Sequence, residues 1–150
     1  MEPRAFEEYL HDHIPLSGAM GAVVLEAGPG GVVLEAPLAP NLNHRATAFG
    51  GSVSALAILA GWALVHLRLR DQGIRTRTVV QRSDVAYLKP VEAPFQARAS
   101  VPVPDAWARF VKSLRRRGRG RVRVRVEVTS AGVGVATLDG DYVAFLFHEE

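Results

Sequence analysis

Cysteine is absent from the 150 residues. That excludes disulfides, thiolate catalysis and cysteine-ligated metals, and it fits a reducing compartment, so a cytoplasmic location is expected. Also missing is the run of roughly 20 apolar residues that a membrane-spanning helix needs. The longest candidate, 53–67 ("VSALAILAGWALVHL"), meets His66, Arg68 and Arg70. A buried core helix is therefore expected, and no membrane association. The opening "MEPRAFEEYLHDH" has no apolar h-region, so no secretory signal is expected there. Internal repeats, low-complexity tracts and linkers are lacking too, which points to one domain over residues 1–150.

What is present is apolar and unevenly charged. Hydrophobic residues make up 48%, enough for a core and too many for a disordered chain. Eight of the 18 basic residues (Lys112, Arg115, Arg116, Arg117, Arg119, Arg121, Arg123 and Arg125) fall in one stretch without an acid. The other ten face 15 acids, so the net charge of +3 hides one basic stripe on an otherwise acidic chain. Such a stripe suits a small anionic group or a solvated face better than a long polyanion. No aromatic interrupts "LRRRGRGRVRVRV" to stack on bases, so nucleic acid is not an expected partner.

Phe6, Tyr9, Leu10 and His13 stand at helical spacing, so residues 4–13 read as a short amphipathic helix that Pro15 ends. "HDH" at 11–13 has no further ligand at metal-binding spacing and is read as part of that helix, with no metal. Two β-branched runs, 20–28 and 31–38, flank a Pro-Gly pair and predict a hairpin. The segment 51–67 is apolar on nearly every side, so other elements must wrap it, and Gly73 supplies a stop. Strands are predicted at 76–90, 94–103, 120–130 and 132–147. The third alternates strictly, with Val122, Val124, Val126 and Val128 on one face and Arg121, Arg123, Arg125 and Glu127 on the other. Between the second and third, Trp107, Phe110, Val111 and Leu114 predict a helix at 105–118, with Asp105 as its cap and Gly118 as its end. The class is α+β: an antiparallel β-sheet wrapped around a long central apolar helix. One such sheet leaves a face and edges uncovered, which a homodimer or a dimer of dimers would cover.

Ahead of the apolar helix runs "NLNHRATAFGGS", residues 41–52. The whole pattern resembles the hotdog fold of acyl-CoA thioesterases and acyl dehydratases. Many small thioesterases of that fold carry an Asn and, six residues later, His-Gly-Gly opening the central helix. Here these positions are Asn43 and Phe49-Gly50-Gly51. Residues 85–101 resemble the strand-turn-strand that follows the helix, and 126–145 the closing hairpin. The likeness is greatest to the thioesterase-like domain at the C-terminus of YiiD-type proteins, which has "NLNH..T.FGGS" at this place. The resemblance implies hydrolysis of an acyl thioester, with coenzyme A as part of the substrate and no other cofactor. It does not carry over whole. The usual His is Phe49, the position nine residues later is Ile58 where other members hold an acid, and 51–67 contains no carboxylate. The dehydratase pattern of a His with an acidic partner is also missing. A catalytically silent acyl-thioester binder is therefore the alternative.

Hydrolysis needs an oxyanion site, an oriented water and a proton acceptor. The first N–H groups of a helix lack intrahelical partners and face the positive end of its dipole, so Gly50 and Gly51 are candidates for the oxyanion site. The competing reading is that two glycines merely permit close packing. Asn43 could orient the water or hold the thioester, or could satisfy its own loop, with Asn41 structural. Candidates for the base are His44 and Asp84. Asp84 could instead pair with Arg82 or Arg98. Asp84 and Tyr87 alternate, so only one of them can face the site. Asn41, Thr47, Phe49, Ser52 and Tyr87 are the candidate substrate contacts, with helix capping the competing role for Ser52 and a structural one for Asn41. Arg115, Arg116 and Arg117 are candidates for the phosphates of coenzyme A, arginine being suited to phosphate.

Overall fold

The computed structural model describes residues 2–147. Helix α1 (Pro3–His13) buries Phe6 and Leu10, the face its spacing predicts. Pro15 does not simply end it. It opens a second short helix, α2 (Pro15–Ala19), because the first helical position needs no N–H and suits proline. Strands β1 (Val23–Gly28) and β2 (Gly31–Ala36) form the expected hairpin. A 3₁₀ turn at Ala39–Asn41 and a loop lead into α3 (Gly50–Asp71), and Gly73, at φ +73°, follows its end. Then come β3 (Thr76–Tyr87), β4 (Phe95–Ser100), α4 (Pro104–Arg117), β5 (Arg119–Ser130) and β6 (Val133–Leu146). Asp105 does not cap α4. Pro104 takes the first position and Asp105 lies in the first turn, where its charge still favours the dipole. Gly118 ends α4 in the left-handed region, as expected.

The six strands form one antiparallel sheet in the order β1-β2-β4-β5-β6-β3, wrapped around α3. This is the hotdog arrangement. α3 buries Val53, Leu56, Leu59, Leu64, Val65 and Leu69 among others, around most of its circumference, and leaves the stripe of Ala55, Ile58, Trp62 and His66 only half-buried. Its length and composition would suit a membrane span, but 61% of that window is buried inside the protein. The strict alternation of β5 is observed: its valines are buried and its arginines face out. On that outer face Arg123 pairs with Asp141 at 2.9 Å and Arg125 with Asp139 at 2.8 Å. The basic stripe is thus two features. Arg123 and Arg125 of its strand half meet acids on β6, while among the described residues its helical half at Lys112 and Arg115–Arg117 does not.

The sheet edges are β1 and β3. Glu7 of α1 accepts the Val24 N–H at 2.9 Å and blunts the first edge. The outer edge of β3 has no such cover among the described residues, and Val79 and Val80 on it are 53% and 38% exposed.

Candidate active site

The loop before α3 is a small closed turn. Leu42 and Ala48 form an isolated antiparallel bridge, the Asn43 N–H donates to Thr47 O at 2.8 Å, and Ala46 takes a left-handed φ of 61° to turn the chain. Asn43 ties this turn from inside. Its Oδ1 accepts from the backbone N–H groups of Arg45 (2.8 Å) and Thr47 (3.2 Å), and its Nδ2 donates to Thr47 Oγ1 at 2.7 Å. Asn41 is buried, donating its amide to Met20 O and Pro37 O, and its own carbonyl accepts the Phe49 N–H at 2.7 Å. The Ala48 N–H donates to Val91 O at 2.8 Å. These bonds fix where α3 begins.

Phe49 is the N-cap, and α3 has no side-chain cap. Ser52 sits inside the first turn with its N–H on Phe49 O at 2.9 Å, so the capping role expected for it is not observed. Among the described residues, neither the Gly50 nor the Gly51 N–H has an intramolecular acceptor. Two rings flank these bare amides. The Tyr87 hydroxyl donates to Gly50 O at 2.9 Å. The Phe49 ring lies over Gly51 so closely that a Cβ there would be 2.3 Å from Cε2, yet Phe49 itself is 57% exposed.

Cavities open on both sides. One, of about 340 Å³, reaches Gly50 between Thr47, Tyr87 and Val91. The other, of about 320 Å³, reaches Gly51 between Phe49, Ser52 and Asn41. This second cavity shares Leu16, Met20 and Ala55 with an apolar one of about 300 Å³ that runs on to Ile58, Trp62 and Tyr142. Together they make a groove between α2, α3 and β3. From Gly51 to Trp62 it spans about 16 Å at 1.5 Å per helical residue. Sequence reading missed its walls, because a helix apolar on every side gives no sign of which stripe stays open.

The structure does not bring every candidate here. Asp84 lies opposite Asp139 on the outer face of the sheet, away from α3, and pairs with Arg82 at 3.5 Å. Arg98 pairs with Glu26 instead. Tyr87, opposite buried Ala136, is the one of the alternating pair that faces α3. His44 is exposed, with Arg45 Nε donating to its Nε2 at 3.4 Å, and it lines neither cavity beside the glycines. Among the described residues, Tyr87 and Lys89 are the titratable side chains on those two cavities. Arg115 and Arg116 border Arg68 near the far end of α3, about 27 Å along the helix from Gly50. Within one chain neither these two nor Arg117 belongs to the Gly50–Gly51 site. The histidine with a perturbed pKa, His66, is also remote: burial lowers it most, then Arg70 and His13.

A family whose description reads "Putative thioesterase (yiiD_Cterm)" matches residues 3–146. Solved structures share the fold. A protein of unknown function from Chlorobaculum tepidum TLS is 25% identical with a TM-score of 0.90, over 97% of this chain and 94% of that one. A "putative thioesterase" from Shewanella oneidensis is 28% identical with a TM-score of 0.83, over 95% and 96%. An Asn-to-Asp mutant of the phenylacetic acid degradation protein PaaI from Thermus thermophilus is 28% identical with a TM-score of 0.61, over 89% and 99%.

Proposed function

The chain belongs to the "Putative thioesterase (yiiD_Cterm)" family, and on that premise we propose that it hydrolyses acyl thioesters, coenzyme A esters first among them. The observation that carries the reading is the pair of unpartnered N–H groups at Gly50 and Gly51, at the mouth of an apolar groove. The thioester oxygen accepts from these amides, and the helix dipole favours the charge that develops on it. The acyl chain lies along Leu16, Ala55 and Ile58 towards Trp62. Phe49 covers the thioester, and Thr47 and Tyr87 border the side from which water enters. Asn43 acts through the loop it ties rather than on the thioester itself. Purified protein offered acyl-CoA esters from acetyl to palmitoyl releases free thiol in this reading. No release above the protein-free rate, across the whole panel, sinks it.

The groove makes a further expectation specific. Ala55 is shared by both of its halves. Ala55→Phe fills the passage, so kcat/KM for dodecanoyl-CoA falls at least ~10-fold while that for butyryl-CoA changes by no more than about threefold. An equal loss on both substrates would mean that the acyl chain lies elsewhere.

Among the described residues no carboxylate or imidazole lines the two cavities beside the glycines, so the proton acceptor comes from a second copy in this reading. The uncovered β3 edge, with exposed Val79 and Val80, is where that copy pairs. Light scattering then gives twice the 16.2 kDa chain mass. Val79→Lys places a charge on the edge, weakens the dimer and lowers hydrolysis in parallel. A fully active monomer would remove the shared site. The same lack of a base favours a second reading, a binder that holds acyl-CoA without turning it over. Calorimetric binding with no thiol release at any protein concentration separates the two.

A further inference from the structure

Beyond the end of α3 remote from Gly50, α4 and the 101–104 segment border a cavity of about 610 Å³. Pro104, Trp107, Ala108 and Val111 line it from the first part of α4, joined by Val101 and Pro102. Lys112, Arg115 and Arg116 line it from the last part, and Arg68 of α3 faces them. The lining therefore grades from apolar to cationic along a helix about 21 Å long. Among the described residues no carboxylate lines it. Among the described residues none of these four cations has a carboxylate ion pair, whereas Arg82, Arg98, Arg123 and Arg125 each do.

Arg68 is the unusual member. One Nη donates to Pro29 O at 2.6 Å, and its guanidinium carbon lies 4.5 Å from the Trp107 ring centre. Its Nε is buried without a partner. Burial lowers its pKa, and the nearby Asp71 partly offsets that. Helix C-termini favour cations in their last turns, which explains arginines at these places. It does not explain an apolar bed laid out beside them, with Val101 of its lining left 39% exposed. A polyanion would gain nothing from that bed, and the one aromatic there, Trp107, is buried rather than offered for stacking.

We propose that this cavity binds an anionic amphiphile, an alkyl chain ending in one carboxylate or phosphate. The chain lies on Val101, Ala108 and Val111, beside the edge of Trp107, and the head group meets Lys112, Arg115, Arg116 and Arg68. This site is separate from the Gly50–Gly51 groove and does not rest on hydrolysis taking place there.

Trp107 reports on it directly. In a Trp62→Phe background it is the remaining tryptophan of two, so fluorescence changes arise at this cavity and not in the groove. Laurate and dodecyl phosphate are each titrated, with dodecanol and inorganic phosphate as the single-feature probes. Saturable change with both amphiphiles, at least ~10-fold tighter than with either single-feature probe, is expected. Saturation by only one of the two identifies its head group as the source and supports the site equally. The triple variant Lys112→Ala, Arg115→Ala, Arg116→Ala weakens binding at least ~10-fold with unchanged circular dichroism. Ala108→Glu, at an exposed position, keeps every cation but sets a carboxylate among them, and it weakens binding too. No Trp107 response up to the solubility limit overturns the proposal. So does dodecanol or phosphate binding as tightly as the amphiphiles, or affinity unchanged in both variants.

Discussion

Replacing Gly50 or Gly51 by proline should lower kcat for acyl-thioester hydrolysis by about 10²–10³ at one position at least, in a protein that still folds. Each substitution deletes one backbone N–H and nothing else that the helix uses. The first turn of a helix has no intrahelical acceptor for these donors, so proline is tolerated there. At position 50 the chain is already set for it, whereas at position 51 the preceding residue is the helical Gly50, where proline is less well accommodated. Phe49 has φ −60° and ψ 131°, the extended conformation that a residue before proline prefers. At position 50 a Cβ meets only the Tyr87 ring, at an ordinary 3.5 Å. At position 51 it meets the Phe49 ring at 2.3 Å, but that ring is largely exposed and can swing aside. Gly50→Ala and Gly51→Ala are the controls. They add the Cβ without the rest of the proline ring and keep the N–H, so Gly50→Ala should stay within a few-fold of wild type. Stopped-flow thiol release at saturating substrate reads kcat. Full activity in both proline variants would show that neither amide carries the oxyanion, whatever the family resemblance suggests.

The architecture was largely legible because burial imposes a period on the sequence. β5 could be read residue by residue, since one face packs on α3 and the other meets water. α3 could be read as central because no side of it is polar. Gly118 and Gly73 could be read as stops because each needs a positive φ. Local signals that compete with packing misled. Asp105 and Ser52 have the right chemistry for caps, but Pro104 and Phe49 fix the two helix starts one or more residues earlier. The site was half legible. The bare amides follow from a Gly-Gly pair at a helix start. The hydroxyl of Tyr87 on Gly50 O, and the groove shared by Leu16 and Ala55, join residues far apart in sequence. Arg115–Arg117 show the converse. Their chemistry suits phosphate, yet only the chain path reveals that α4 sits near the wrong end of α3 for the same chain's site.

Gly61→Ala should destabilise the fold by about 3 kcal/mol, against the sign that helix propensity alone predicts. In the interior of a helix alanine is normally favoured over glycine by about 1 kcal/mol. Here a Cβ would lie 2.3 Å from Tyr142 Oη and 2.7 Å from Cζ. The ring can shift only towards the apolar cavity that it borders. Tyr142 is fully buried, and behind it Gly140 is so close that a Cβ there would be 2.8 Å from Cε2. Burial pushes the phenol pKa up, so the hydroxyl stays protonated and donates to Ile58 O at 2.7 Å. Shifting the ring strains the core by roughly 1–3 kcal/mol. It also leaves buried polar atoms unpaired, at about the same cost again. Urea denaturation measures the difference, and Gly18→Ala serves as the control because its nearest neighbour would be an unstrained 3.8 Å away. Tyr142→Phe removes the clashing oxygen, so adding it to Gly61→Ala should recover part of the loss, whereas alone it should destabilise. A stable Gly61→Ala protein, or simple additivity of the two changes, would show that the ring is not wedged. Since Tyr142 and Ile58 also wall the acyl groove, the rescued double variant should alter chain-length preference where the Gly18→Ala control does not.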